Sequence, residues 1–163
     1  MGKQINFFAT ENDRIMIADI LNSIFGELIE VPRSKGQFSS FDPKKDNFQF
    51  YLAEKSREMD IFYRIHEYYD GSTAEVLDYR KSPTLEYSPA FINQDGEYCK
   101  GRFYCCSEDA EFSKKVSKFF SKLKKEFWYV KEKQAHISKS IDVEKHFFFI
   151  PNSTVKIKKE ELK

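Results

Sequence analysis

The sequence predicts an α+β fold of two layers, a mostly antiparallel β-sheet with two main amphipathic helices packed on one face. Three observations lead there. Apolar residues recur at helical spacing in two windows, 17–25 and 112–127. Between them, from residue 48 to 106, the apolar period changes to two. The chain also holds 17 Phe and 9 Tyr, an aromatic content that suits pleated surfaces and is foreign to disordered chains. A length of 163 residues with 40% apolar positions fits a single domain, 1–163, with one sizeable core.

In chain order, Ile5, Phe7 and Phe8 mark a first strand. Thr10 is the expected N-cap of a helix, with Asp13 three residues on where a capping box has Glu or Gln. Ile17, Ile20, Leu21, Ile24 and Phe25 form the apolar face of that helix, and Gly26 closes it. "ELIEV" is a second strand stopped by Pro32. Residues 32–47 lack a period and read as a long loop, functional or mobile, whose Phe38 and Phe41 are expected to tuck onto the body.

Five alternating runs follow: "NFQFYLA", "DIFYRIHEYY", "AEVLDY", "TLEYS" and "YCKGRFYCC". Turn signals at 70–72, 82–83 and 93–96 separate them, and Pro89 marks an edge, a bulge or a strand end. They are expected to form an antiparallel meander. Ser107 is the expected N-cap of the second helix, with Glu108, Asp109 and Glu111 near its positive end. Phe112, Val116, Phe119, Phe120, Leu123 and Phe127 make its apolar stripe, and Lys114, Lys115, Lys118, Lys122 and Lys125 its other face. Beyond Trp128, "HISKSI" reads as a short strand or turn, "KHFFFIP" as a short apolar strand, and 156–163 as a frayed tail.

The net charge of +1 hides an asymmetry. Residues 1–109 carry 13 Lys+Arg against 19 Asp+Glu, whereas residues 110–163 carry 14 Lys against 7 acids. Such a division marks an interaction surface or two halves that face each other. No run is long enough to span a bilayer, no signal-peptide core follows the first Met, and Asn6 stands where a myristoylation signal needs Ser or Thr. No membrane partner is expected. An odd count of three cysteines, two of them adjacent, argues against a secreted disulfide framework and for the cytoplasm. Abundant Lys, Phe, Tyr, Ile and Asn suit an AT-rich bacterial genome.

All three cysteines lie within "CKGRFYCC". Zinc sites use pairs such as C-x2-C, and spacings of six and one do not supply one. His66, His136 and His146 add no ligand spacing, so no metal and no cofactor is expected. Strand alternation instead places Cys99, Gly101, Phe103 and Cys105 on a core face, and Tyr98, Lys100, Arg102, Tyr104 and Cys106 on the other.

The same alternation turns Ile61, Tyr63 and Ile65 inward and Phe62, Arg64, His66 and Tyr68 outward, with Glu86 and Ser88 outward on "TLEYS". If these strands are neighbours, one open sheet face gathers Arg64, His66, Tyr68, Glu86, Arg102 and Tyr104. Such a set suits a protein or small-molecule ligand, and its plainer reading is a solvated face of cross-strand pairs. The expected function is a small binding module. Small immunity-type proteins that neutralise a toxin share this size and lack of catalytic motif, and no residue here selects that class. One alternative is an enzyme using His66 with Glu86 or Tyr104. Another is a nucleic-acid binder using the lysine face of 110–127, which reads more simply as a solubilising surface. No phosphate-binding glycine loop, nucleophile elbow or zincin motif occurs.

Overall fold

The computed structural model describes residues 2–8, 11–45, 49–89 and 101–126, with shorter pieces at 91–92, 94, 97–99, 128–129, 148–149 and 157–158. The chain runs β1 (Lys3–Phe8), α1 (Glu11–Phe25), β2 (Leu28–Val31), β3 (Ser39–Ser40) and β4 (Phe50–Glu54), then a 3₁₀ helix (Lys55–Asp60). It continues with β5 (Tyr63–Glu67), β6 (Thr73–Leu77), β7 (Leu85–Ser88), β8 (Phe91–Ile92), β9 (Glu97–Cys99) and β10 (Gly101–Cys105). Last come α2 (Ala110–Glu126), β11 (Trp128–Tyr129), β12 (Phe148–Phe149) and β13 (Ile157–Lys158). The fold is α+β with a mostly antiparallel sheet.

The main sheet has eight strands in the order β11-β12-β1-β10-β7-β4-β2-β3. All its pairings are antiparallel except β11–β12. The expected meander is therefore wrong in two respects: the run "YCKGRFYCC" divides between β9, in a three-stranded sheet of order β13-β9-β8, and β10, in the main sheet, and two middle strands leave the main sheet altogether. β5 and β6 leave the main sheet as a separate hairpin, and β4 pairs directly with β7. The side chains explain this. Phe50, Leu52, Leu85 and Tyr87 are all buried in one core, whereas β5 carries Arg64, His66 and Glu67, which a mid-sheet position would strip of water.

Register assigns the faces. Ile5, Phe103, Tyr87 and Phe50 are successive cross-strand partners. They share one core with Ile17, Leu21 and Phe25 of α1 and Phe112, Val116, Phe119 and Leu123 of α2. Rings carry much of the contact: Tyr87 stacks on Phe103 at 4.5 Å, Phe119 meets Phe103 edge-on at 5.0 Å, and Phe25 lies 5.3 Å from Phe112. Cys105 belongs to this core, as strand parity predicts.

The opposite face has its own smaller core of Ile29, Val31, Tyr51, Ala53 and Leu77, with Phe38, Ile61 and Tyr63 packed against it. The hairpin thus covers the β2–β4 end of a face expected to be open. Segment 33–35 fastens it: the Lys35 N–H donates to Glu75 O and the Leu77 N–H to Arg33 O, at 2.9 and 2.7 Å. The described part of this loop, residues 32–45, holds more regular structure than its composition suggests, with β3 paired to β2 inside it. Phe41 packs on the main core and Phe38 on the second.

Element ends follow local chemistry. Gly26 closes α1 at φ +76°, where an L side chain would be strained. The cap of α2 is Asp109, not Ser107: Asp109 Oδ1 accepts the Phe112 N–H at 2.9 Å, and Ser107 Oγ accepts the Asp109 N–H at 3.2 Å. A carboxylate is the better cap here because Arg57, at 2.7 Å, binds its other oxygen. Ile157 and Lys158 pair with Tyr98 and Glu97, so part of the expected frayed tail is strand. Phe148 and Phe149 pair with Phe8 and Phe7. Thr10, the Asp13 side chain, Lys100, the side chains of Tyr98 and Cys99, Phe127, His136, His146, "HISKSI" and most of the 93–96 turn lie outside the described residues. No helix among the described residues is long and apolar enough to cross a membrane.

Candidate functional site

Two cross-strand rows build the site. In the first, Gln4, Tyr104, Glu86, Tyr51 and Val31 follow one another across β1, β10, β7, β4 and β2. In the second, Asn6, Arg102 and Ser88 follow one another across β1, β10 and β7. Alternation puts both rows on the face opposite the helices. The first row grades from polar to apolar. Its Tyr51–Val31 end is buried in the second core, while Arg102 and Tyr104 are half-buried.

Glu86 sits between two tyrosines in this row and is only 7% exposed. A carboxylate so placed needs partners. Arg102 Nη2 donates to its Oε1 at 2.8 Å, and Gln49 Nε2 donates to the same oxygen. The Arg102 guanidinium in turn lies over the Tyr104 ring, 5.4 Å from its centroid. The Tyr104 hydroxyl hydrogen-bonds Cys106 Sγ two residues along the same strand face. Gly2 approaches the same ring: an ideal Cβ there would fall 2.6 Å from the Tyr104 hydroxyl oxygen, a gap that glycine leaves open.

Electrostatics keep these groups protonated. Burial pushes the Tyr51 hydroxyl above its ordinary pKa, and the Glu86 carboxylate adds to the effect. Burial also raises Tyr104, with the neighbouring Cys106 next in importance. The Cys106 thiol is raised by burial against the opposing hydrogen bond from Tyr104. Two phenols and a thiol therefore stand as hydrogen-bond donors, not as a base or a thiolate nucleophile. They share the sheet face on which Arg102 and Gln49 donate to the buried Glu86 carboxylate, an arrangement that could hold acceptor-rich groups.

Beside this floor, a cleft of about 330 Å³ opens at the β2–β4 end, lined by Arg33, Gln37, Lys45, Gln49 and Tyr51 among others. Glu30 forms part of its wall and is held by Lys45 at 2.9 Å and by the Asp42 N–H at 3.1 Å. Gln49 and Tyr51 join the cleft to the Glu86 row.

Of the six residues expected on one open face, the structure brings Glu86, Arg102 and Tyr104 together. Arg64, His66 and Tyr68 lie apart from them, on the outer face of the β5–β6 hairpin, because β5 pairs with β6 and not with β7 or β10. The His66 ring packs edge-on against Tyr68 at 4.8 Å. Among the described residues no hydrogen bond or ion pair joins His66 to Glu86 or Tyr104. Ile65, expected inward, is 73% exposed, since nothing described lies under the far half of the hairpin. On α2, Lys114, Lys118, Lys122 and Lys125 are exposed, whereas Lys115 bonds the buried Glu54 at 2.8 Å.

Tyr51, Gln49 and Cys106 are site members that the sequence reading did not single out. The signal was present for all three: alternation puts Cys106 on the face of Arg102 and Tyr104, and in "NFQFYLA" Gln49 and Tyr51 alternate with the core residues Phe50 and Leu52. Among the described residues no three His, Cys, Asp or Glu side chains are grouped to hold a metal ion. No protein-family model matches the chain, no curated protein matches it, and no solved structure matches it.

Proposed function

We propose that this chain is a small binding module whose partner or ligand meets the part of the sheet face that the hairpin leaves open, centred on Arg102 and Tyr104. The observation that supports the reading most is the buried Glu86 carboxylate, which accepts from Arg102 and Gln49 and has Tyr51 and Tyr104 as its cross-strand neighbours. Arg offers a fixed fork of donors and Tyr a rigid amphipathic ring, so both bind at small entropic cost. The favoured partner surface is rich in carbonyl or carboxylate oxygen, because a guanidinium only donates and a protonated phenol beside it can donate as well. A cytoplasmic setting belongs to the reading, in keeping with free Cys105 and Cys106. Catalysis by His66 with Glu86 or Tyr104 is not favoured, since those groups lie on different sheets.

The test compares capture of a partner from native cells by three forms of the chain: unsubstituted, Arg102→Ala plus Tyr104→Ala, and Lys118→Ala plus Lys122→Ala. The reading expects the sheet-face pair to lose the captured partner while staying folded, and the lysine pair to keep it. If the lysine pair alone fails, with a steep dependence on salt, an anion-binding helix face replaces the sheet face as the site.

A further inference from the structure

β5 is an edge strand with no described neighbour on its outer side. In the hairpin, Asp78 N–H donates to Phe62 O and Tyr68 N–H to Ser72 O, each at 2.8 Å. Antiparallel hydrogen-bonded pairs alternate, and Arg64 stands opposite Val76 and His66 opposite Ala74. The inward-bonding residues of β5 are therefore Arg64 and His66. The backbone N–H and C=O groups of Tyr63, Ile65 and Glu67 point away from β6, and no described residue accepts or donates to them. The other edge of the hairpin is taken, because segment 33–35 bonds Glu75 and Leu77 of β6.

The large apolar side chains around this edge are unusually exposed. Ile65 at the strand's centre is 73% exposed, Met59 and Phe62 at one end 90% and 54%, and Tyr68 and Tyr69 at the other end 46% and 112%. Ile65 lies on one face of the hairpin and Phe62 and Tyr68 on the other, so both faces along this edge expose apolar surface that an added strand would cover. The order of residues along β5 is self-complementary. Read antiparallel against itself about Ile65, the strand sets Ile65 on Ile65, Phe62 opposite Tyr68, and Tyr63 opposite Glu67. The same two-fold brings the Met59 end of one strand to the Tyr69 end of the other. Residues 62–68 carry one Arg and one Glu, so two copies meet without net repulsion beyond that of His66.

We propose that a second copy of this chain adds to β5, Ile65 on Ile65, so that two hairpins join into one sheet across a two-fold axis. Because the opposite edge of each hairpin is already bonded, the pairing closes at two and does not propagate. The contact is short and yields a weak, concentration-dependent dimer. It uses a different surface from Arg102 and Tyr104, so each reading stands or falls by itself.

Sedimentation equilibrium of the full chain over a wide concentration range, under reducing conditions, tests the pairing. The unsubstituted chain is expected to show a monomer–dimer equilibrium. Ile65→Pro removes an outward N–H that the hairpin does not use, and is expected to weaken the dimer by about tenfold or more. Ile65→Lys sets two like charges face to face and is expected to do the same with the hairpin ladder untouched. Circular dichroism and the unfolding midpoint verify that each variant is folded, and Ile65→Lys decides should the proline variant not fold. A monomer at every concentration overturns the proposal, and so does a dimer that survives the folded variant unchanged.

Discussion

Arg102 Nη2 lies 2.8 Å from Glu86 Oε1, a diagonal pair across β10 and β7 in which the carboxylate side chain is 8% exposed and the guanidinium 39%. The imbalance matters. Removing the cation leaves a carboxylate in a site with little water, whereas removing the carboxylate lets the half-exposed arginine turn to solvent.

Arg102→Met is therefore expected to cost about 1–3 kcal/mol in urea denaturation, a range reduced from that of fully buried pairs because the arginine is partly solvated. Adding Glu86→Gln to it should recover at least half of that loss, since a neutral amide tolerates the site. Equal and additive losses from the two changes would mean that the pair is not coupled in the folded state.

Asp109 should give the chain a distinct acid-sensitive step. Its carboxylate is held down at about 2, from an ordinary 3.8, first by the hydrogen bond from Arg57 and then by the Phe112 N–H of α2. A depressed carboxylate stabilises the fold fully above the unfolded pKa and loses that contribution as pH falls toward the folded one. The loss should fall between about pH 4 and pH 2. Asp109→Asn keeps a capping side chain but not the ion pair. It should flatten this step and cost about 1 kcal/mol at neutral pH, as read from unfolding midpoints across pH.

Phe119 and Phe120 adjoin in sequence but not in burial. Phe119 is 0% exposed and in ring contact with Phe25 and Phe103, while Phe120 packs only partly on the core. Phe119→Ala should destabilise by about 3–5 kcal/mol and Phe120→Ala by about 1–2 kcal/mol. Equal costs in chemical denaturation would show that the apolar face of α2 is rotated from this placement.

The two described cysteines should differ in reactivity. Cys105 is 3% exposed and burial raises its thiol pKa, whereas Cys106 is half-buried and hydrogen-bonded to Tyr104. A disulfide reagent at mildly alkaline pH should modify Cys106 slowly and Cys105 only on unfolding, since thiolate and access are both required. The spacing of the three cysteines leads us to expect no mutual disulfide and no bound metal, and elemental analysis of the purified protein should then find no stoichiometric zinc. Rapid labelling of Cys105 in the folded chain would contradict its place in the core.

Much of the fold was legible along the chain. The 3.6-residue recurrence of Phe112, Val116, Phe119 and Leu123 is enough to define a helix with one buried face, because side-chain direction follows from backbone geometry alone. The alternation of Gly101 to Cys105 likewise assigned Phe103 and Cys105 to the core and Arg102 and Tyr104 to the other face before any neighbour was known. Half of the candidate site, Glu86, Arg102 and Tyr104, came from that parity.

Partnership between strands was not legible in the same way. Parity says which side of a strand faces a core, but not which strand lies beside it or what covers the second side. That choice depends on the total apolar area buried over the whole sheet, so only the tertiary structure decided that β4 pairs with β7 while β5 and β6 leave as a hairpin. The same decision moved Arg64, His66 and Tyr68 away from Glu86, covered Tyr51, and exposed Ile65. Helix capping shows the rule at smaller scale. Ser107 and Asp109 are both good caps by sequence, and the selection of Asp109 came from Arg57, a residue 52 positions away that only the folded chain brings to it.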